Sequence, residues 1–594
     1  MLTSAPARRK PSQVACFAFQ MKSVAPDTPR LCQCRSLRRR HNCSLLSARH
    51  AATHVTRAVS TPVSSTEVTD TDVVVIGAGV SGLCCAAALA TQGVAVTVVE
   101  AHTVAGGAAH GFSRQDHHFD SGPSFYFGLQ DPPGTSLNGL TQALDALGEH
   151  VPCASYTGWR VYTPQGTFDC TVSPREYEDT IRRFAGDEGA RQWRTLKQRI
   201  TPLSDFAGVL PFAAFRGDAA VALSLSRFFP AMARGFAAIA SSPEGLGSLA
   251  TLGGSFGDVL RAAGLTNEWL LALLQLETFV ISGCMADNTP APEMAFVLSQ
   301  RFREGAVLDH PIGGSQAWID ALTRGITRHG GRVRLGTPVE SVLVSDGRAT
   351  GVKLAGNKGI INARQSVVSS LSAWDLPKVL PPGAWPVSEV EKAQSTPECG
   401  SFVHLHLGFD ATGLDLAKIG IHHLVVNDFR ASAITADRNV INISIPTALD
   451  STLAPPGQAV AHVYGAANEP FDDWARLKRG SPEYEALKEE RSQVLWAALE
   501  RVIPDIRRRA TFHMVGSPLT QARYLRRHRG SYGPALPPNG WPGPQTPLPG
   551  LLRCGDSTFP GIGVPAAAGS GLIAANTLLS VPQHWRLLDA MGRR

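Results

Sequence analysis

Three glycines and one acid carry the clearest chemistry in this chain. Asp72-Val-Val-Val-Ile-Gly77-Ala-Gly79-Val-Ser-Gly82 runs into a stretch of small residues, then into Val94–Val99, and closes on Glu100, 21 residues past Gly79. Gly77 allows a tight turn out of a buried strand. Gly79 has no side chain, so a pyrophosphate can come close to the backbone, and Gly82 lets the following helix pack on the sheet. The unpaired N–H groups and positive dipole end of that helix then face the phosphates. A carboxylate at Glu100 can accept hydrogen bonds from a ribose diol and would repel a 2′-phosphate, which disfavours NADP. Gly106-Gly107 follows directly.

A second glycine turn lies almost five hundred residues later. Gly550-Leu-Leu-Arg-Cys-Gly555-Asp556 leads through Gly561, Gly563 and Val564 into another small-residue helix containing Gly571. The N-terminus of such a helix can stabilise negative charge on the N1–C2=O edge of a flavin. Asp556 is placed to hydrogen-bond a ribityl chain.

The elements that must position these residues can be read from pattern. Val73–Ile76 is a β-branched run suited to a strand buried on both faces. Cys84–Ala90 is helical, ended by Gly93. Residues 160–170 read as a hairpin around Pro164-Gln165-Gly166. Residues 174–305 are mainly helical, with Ser255 capping a helix from Phe256 to Ala263. After His310 a helix over about 316–329 precedes short strands at Arg332–Leu335, Val339–Val344 and Ala349–Leu354, the last two joined by an Asp346-Gly347 turn. Ile360–Ala363 and Val367–Ser369 extend that sheet. Strand-like runs occupy 399–465, a helix 485–503, and a Pro/Gly-rich loop 530–550.

At 594 residues the chain is long enough for roughly two to four domains. Its composition, 43% hydrophobic and 18% charged, is that of a folded protein. The net charge of +7 is unevenly spread: residues 1–60 hold eleven Lys/Arg against Asp27 alone, a local +10, so the remainder sums to −3. A nearly neutral body argues against a nucleic-acid partner. The Arg-, Ser- and Ala-rich beginning lacks a long apolar core and reads as an organelle-targeting leader, residues 1–65, expected to be disordered. The cysteines form no dithiol motif, Cys32-x-Cys34 lacks zinc-type spacing, and no metal site is expected. No window of eighteen apolar residues appears, so no spanning helix is expected. Residues 206–248 read either as amphipathic core helices or as a monotopic patch, with Phe and Leu in lipid and Arg216, Arg227 and Arg234 at the headgroups.

Taken in order, these stations resemble the FAD-dependent phytoene desaturase/carotenoid isomerase group, which is related to retinol saturases and amine oxidases. They are Gly77/Gly79/Gly82 with Glu100, Gly106-Gly107, Phe119-Asp120-Ser-Gly122, and His310-Pro-Ile-Gly313-Gly314. Gly330-Gly331 to Val339, Ser517-Pro518-Leu519-Thr520, Gly530-Ser-Tyr-Gly533-Pro534 and Gly555-Asp556 to Gly571 complete the series. Gly555-Asp-Ser-Thr-Phe559-Pro-Gly-Ile-Gly-Val564 is more similar to plant-type prolycopene isomerases than to bacterial desaturases, which usually carry His in place of Phe559. The resemblance implies an α/β fold: a Rossmann-like FAD-binding domain with a parallel sheet, discontinuous in sequence, and an inserted mixed α+β substrate domain. The FAD-binding parts would be 70–170, 310–370 and 548–594, and the substrate parts 171–309 and 371–547. It further implies FAD held by Gly77, Gly79, Gly82, Glu100, Gly106, Gly107 and Gly122, adenine met by the backbone of Val339, and Gly555, Asp556, Gly563 and Val564 at the ribityl and isoalloxazine end.

By the same resemblance the substrate is a long hydrophobic polyene, the site of action a plastid (a mitochondrion second), and the setting a membrane surface. Isomerisation is the first expectation. A desaturase passing electrons to a quinone or oxygen, a retinol-saturase-like enzyme and a flavin amine oxidase are the alternatives. No catalytic acid or base is identifiable. His310, His404 and His406 read as satisfied structural residues. The run Arg526-Arg527-His528-Arg529 reads equally as a solvated loop or as a contact to lipid headgroups or pyrophosphate.

Overall fold

The computed structural model describes residues 68–122, 124–240, 253–465 and 467–593; the expected leader and residues 241–248 of the apolar stretch lie outside them. Val68–Ile76 forms the central strand of a seven-stranded sheet, with Val73, Val74 and Val75 fully buried. Across this sheet the order is Val339–Ser345, Arg348–Leu354, Ile360–Ser369, Val68–Ile76, Val96–Val99 and Arg332–Arg334. Ile360–Ser369 has two partners on one edge. Its first residues pair antiparallel with Arg348–Leu354, and Val367–Ser369 pairs parallel with Leu551–Arg553.

The expected parallel sheet is therefore mixed. Its strands around Val68–Ile76 are parallel, whereas the 339–354 arm is an antiparallel hairpin. A two-residue turn suffices for that hairpin, and Asp346 and Gly347 take it with φ 50° and 70°. The two segments read separately at 360–363 and 367–369 are one strand.

The Val80–Thr91 helix packs on this sheet against the Val564–Leu578 helix, two small-residue helices in close contact. Small side chains permit the approach: a Cβ on Gly571 would lie 2.1 Å from the Ser81 carbonyl oxygen. The two glycine turns, remote in sequence, thus open on one side of one sheet.

A second seven-stranded sheet runs Ala510–Gly516, His404–Asp410, Gln458–Gly465, Val440–Ser444, His422–Val426, Gly158–Thr163 and Gly166–Thr171. The 158–171 hairpin forms as expected, but it belongs here. Gly158–Thr163 pairs parallel with His422–Val426 and antiparallel with Gly166–Thr171. Helices from Pro174 to Phe302 cover this sheet. They include Glu268–Ser282, Ala291–Phe302 and a Phe256–Ala262 helix capped by Ser255 through a reciprocal box with Asp258.

The apolar stretch after residue 206 forms short helices, Val221–Leu225 and Phe229–Ala240, which leave Leu223, Phe229 and Phe236 exposed. Of the three arginines expected at headgroups, Arg216 is buried and paired with Asp218, and Arg227 is held by Asp589. Arg234 alone of the three is exposed with no ion pair among the described residues. No helix among the described residues is long and apolar enough to cross a membrane.

Candidate functional site

A cleft of about 730 Å³ opens where the two glycine turns meet. Gly77, Gly79, Glu100, Gly106, Gly107, Gly122, Val339, Gly555, Asp556, Gly563 and Val564 all line it. Gly82, the remaining residue singled out from sequence, stands behind the wall. A Cβ there would lie 2.1 Å from the Gly77 carbonyl oxygen, so its work is helix-to-strand packing. Gly79 is different. Its φ of −70° suits any residue, and no atom lies within 4 Å of where its Cβ would be. That direction is open space at the N-terminus of the Val80–Thr91 helix, the room a pyrophosphate needs against unpaired backbone N–H groups.

Glu100 is fixed by the backbone on both oxygens. Ala78 N–H donates to Oε2 at 2.8 Å and His102 N–H to Oε1 at 2.6 Å. Each oxygen keeps a lone pair for a hydroxyl of a diol. Gly106 is drawn to the first turn by its N–H to the Ala78 carbonyl, 2.8 Å. At the far end Gly563, with φ 96°, starts the Val564–Leu578 helix, whose N-terminus also faces the cleft. Asp556 is braced by an ion pair with Arg527 and accepts from Ser557 Oγ at 3.3 Å. Arg527 in turn donates to the Ser531 and Tyr532 carbonyls.

The basic run 526–529 is therefore wall, not free loop. All four residues line the cleft, Arg529 pairs with Glu398 and Asp472, and His528 stacks on Trp374 with ring centres 4.5 Å apart. Trp374 and Tyr464 come from segments without a spacing motif, whereas Tyr532 lies inside the Gly530–Pro534 station.

Of the three histidines noted in the sequence, His404 lines the cleft, His406 lies behind it, and His310 is buried elsewhere in the Leu308–Pro311 strand. His404 and His406 stack with His462, and His404 Nδ1 and His462 Nε2 share a hydrogen bond of 2.7 Å. Burial lowers all three, His406 to about 4, so this wall is neutral. His406 Nε2 donates to the Asp120 carbonyl at 3.2 Å, and the Asp120 carboxyl accepts from Ser315 N–H at 2.9 Å. The Phe119–Gly122 and Gly313-Gly314 stations are thereby joined to the histidine strand. Burial pushes Asp120 up to about 6.

A second cavity, about 550 Å³, lies against the Gly563 end of the cleft. Phe125, Phe127, Trp159, Phe212, Phe296 and Val297 make much of its wall. Tyr464, Tyr532, Ile562, Gly563 and Val564 line both cavities and form the partition where they meet. The size and apolar lining are those of a small-molecule site.

The chain matches the flavin-containing amine oxidoreductase family over residues 80–579 and belongs to it. It is 29% identical over 548 residues to the chloroplastic prolycopene isomerase of Daucus carota, covering 87% of this chain and 82% of that one. It is 26% identical over 546 residues to the neurosporene-forming phytoene desaturase of Rhodobacter capsulatus, covering 86% and 94%. Among solved structures, putrescine oxidase bound to putrescine superposes with a TM-score of 0.55 at 16% identity, covering 86% of this chain and 99% of that one, which speaks for the fold. The protein is thus an FAD-dependent enzyme with a Rossmann-like cofactor domain.

Proposed function

We propose that this enzyme isomerises double bonds of a long hydrophobic polyene of the carotenoid class, cis to trans, in a plastid. The observation that carries this is the shared partition: an apolar cavity meets the cofactor cleft at Tyr464, Tyr532, Ile562, Gly563 and Val564. The relatives named for prolycopene and phytoene act on carotenoids, which need an apolar cavity of this kind.

Gly77, Gly79, Gly106, Gly107 and Gly122 would hold the ADP half of FAD, with Glu100 on the ribose and Val339 at the adenine. Gly555, Asp556, Gly563 and Val564 would hold the ribityl and isoalloxazine end, and Gly82 seats the helix that carries the phosphate-binding N–H groups. Bound flavin supplies hydride and electron chemistry. The chain's own part is to press the polyene against the partition, fix it between aromatic walls and keep water out.

Leu223, Phe229 and Phe236, exposed on adjacent short helices, would dip into the membrane that stores the substrate. The basic, acid-poor first 65 residues would carry the plastid address.

Anaerobic incubation of the flavin-reduced holoenzyme with cis- and trans-carotenoids, followed by chromatography, tests the reading. Conversion of cis to trans isomers without change in the number of double bonds is expected. Formation of new double bonds would assign a desaturase, and turnover of amines with none of any polyene would overturn the proposal.

A further inference from the structure

Carboxyl groups are rare on an apolar wall unless they are paired. Among the described residues two reach the apolar cavity, Glu277 and Glu293. Glu277 is fully engaged: Arg301 Nη1 donates to it at 2.7 Å and the Tyr177 hydroxyl at 3.0 Å. Arg301 is itself stacked on Trp159 and Tyr177. Glu293 is not engaged. It sits in the first turn of the Ala291–Phe302 helix, and no donor among the described residues reaches its carboxyl. It lies deep in the protein yet keeps accessible surface, which therefore opens into the cavity.

Its place along the cavity is informative. Glu293 and Tyr532 line the same cavity, and Tyr532 belongs to the partition shared with the cofactor cleft. A polyene lying along this cavity against the partition passes the Glu293 carboxyl as well. Removal from water pushes its carboxyl up to about 8, so it is protonated at neutral pH. As a packing residue it is a poor choice, because a partnerless acid in apolar surroundings costs stability that Gln or Leu would not.

We propose that Glu293 is the proton donor and acceptor of the isomerisation, giving its carboxyl proton to a polyene carbon and taking it back after rotation. The inference rests on the isomerase reading above. In the first half, the O–H bond of Glu293 breaks and a C–H bond forms from the π pair of one C=C, leaving a cation delocalised along the chain. The former double bond is now single and turns. In the second half, the Glu293 carboxylate removes a proton from that carbon and the π bond re-forms. Nothing is oxidised or reduced. The carboxylate stays beside the cation as its counter-charge, and the aromatic walls keep water from adding to it. Among the described residues, the other ionisable groups lining this cavity are Tyr464, Tyr532 and the mutually neutralising Glu277–Arg301 pair.

The test uses flavin-loaded full-length protein, reduced and kept anaerobic, and prolycopene with its partly cis congeners, presented in phosphatidylcholine vesicles in D2O. Wild-type protein should place deuterium in the polyene over many turnovers. Glu293→Gln should bind flavin and polyene as wild type does, lose the label, and isomerise on the order of 10²- to 10⁴-fold more slowly. Glu293→Asp, which keeps an acid, should retain both label and partial turnover. Near wild-type turnover by Glu293→Gln, or label-free wild-type product, overturns this inference and leaves the polyene reading standing. Wild-type protein that neither binds nor converts any of these polyenes overturns both.

Discussion

The cofactor cleft and the apolar cavity share a partition, yet they are built on opposite principles. The cleft is shaped by backbone: glycines, helix N-termini and a carboxylate fixed by main-chain N–H groups. The cavity is shaped by side chains gathered from segments between Ser124 and Ala566. A backbone site needs particular residues at particular spacings, because few residue types tolerate a close phosphate or a left-handed turn. A side-chain cavity needs only bulk and apolarity, which many sequences supply. The lesson is that a cofactor can be read from a chain far more readily than the substrate it serves.

If that contrast holds, changes on the two sides of the partition must separate. Gly79→Val should cause the largest effect. Its Cβ meets no protein atom within 4 Å, so the fold should survive while the pyrophosphate's space is taken. Flavin affinity should fall at least about a hundredfold, seen as loss of visible flavin absorbance with unchanged circular dichroism. Gly82→Val breaks the comparison the other way. With a carbonyl 2.1 Å from its Cβ, it should fail to fold.

On the cavity side, Val297→Trp should fill apolar space without touching the cleft. Polyene binding should weaken about tenfold at unchanged flavin content, measured by quenching of tryptophan fluorescence. A matching loss of flavin would mean the two cavities are not separable. Replacing Leu223, Phe229 and Phe236 together by Ser should lower vesicle co-sedimentation several-fold, by roughly 1 kcal/mol or more, and leave turnover on detergent-dispersed substrate intact.

The smallest effect concerns stability. Glu293 has an ordinary value of 4.5 and is raised to about 8 in the fold. Between those values the folded state binds the proton more tightly than the unfolded one, so this group's contribution falls as pH rises through that window. Glu293→Gln should melt with wild type near pH 4 and about 2 °C above it near pH 9, by scanning calorimetry. No difference at high pH would show that the carboxyl is solvated.

The same contrast explains what could be read beforehand. Gly77, Gly79 and Glu100 were legible because strand, turn, helix and acid must follow at fixed intervals. The Asp346-Gly347 hairpin, and with it an antiparallel arm, was legible from its turn residues. The 158–171 hairpin was recognised as a hairpin. Its alternation shows two paired strands and says nothing of the third strand, His422–Val426, beside them. Tyr464, Trp374 and Glu293 carried no local signal. Each acquires its role only when distant strands and helices bring it to a cavity wall. Arg216 misled in the opposite sense, since an arginine in an apolar stretch looks exposed until its partner Asp218 is seen.

The central claim is that one FAD molecule spans the amino-terminal and carboxy-terminal glycine turns. A crystal structure of the flavin-loaded protein tests it most directly. The expected result is the pyrophosphate against the backbone at Gly79–Ser81, a ribose on Glu100, and the isoalloxazine ring at Gly563–Val564 facing the apolar cavity. A flavin that touches only one of the two turns, or lies outside the cleft between them, would contradict it.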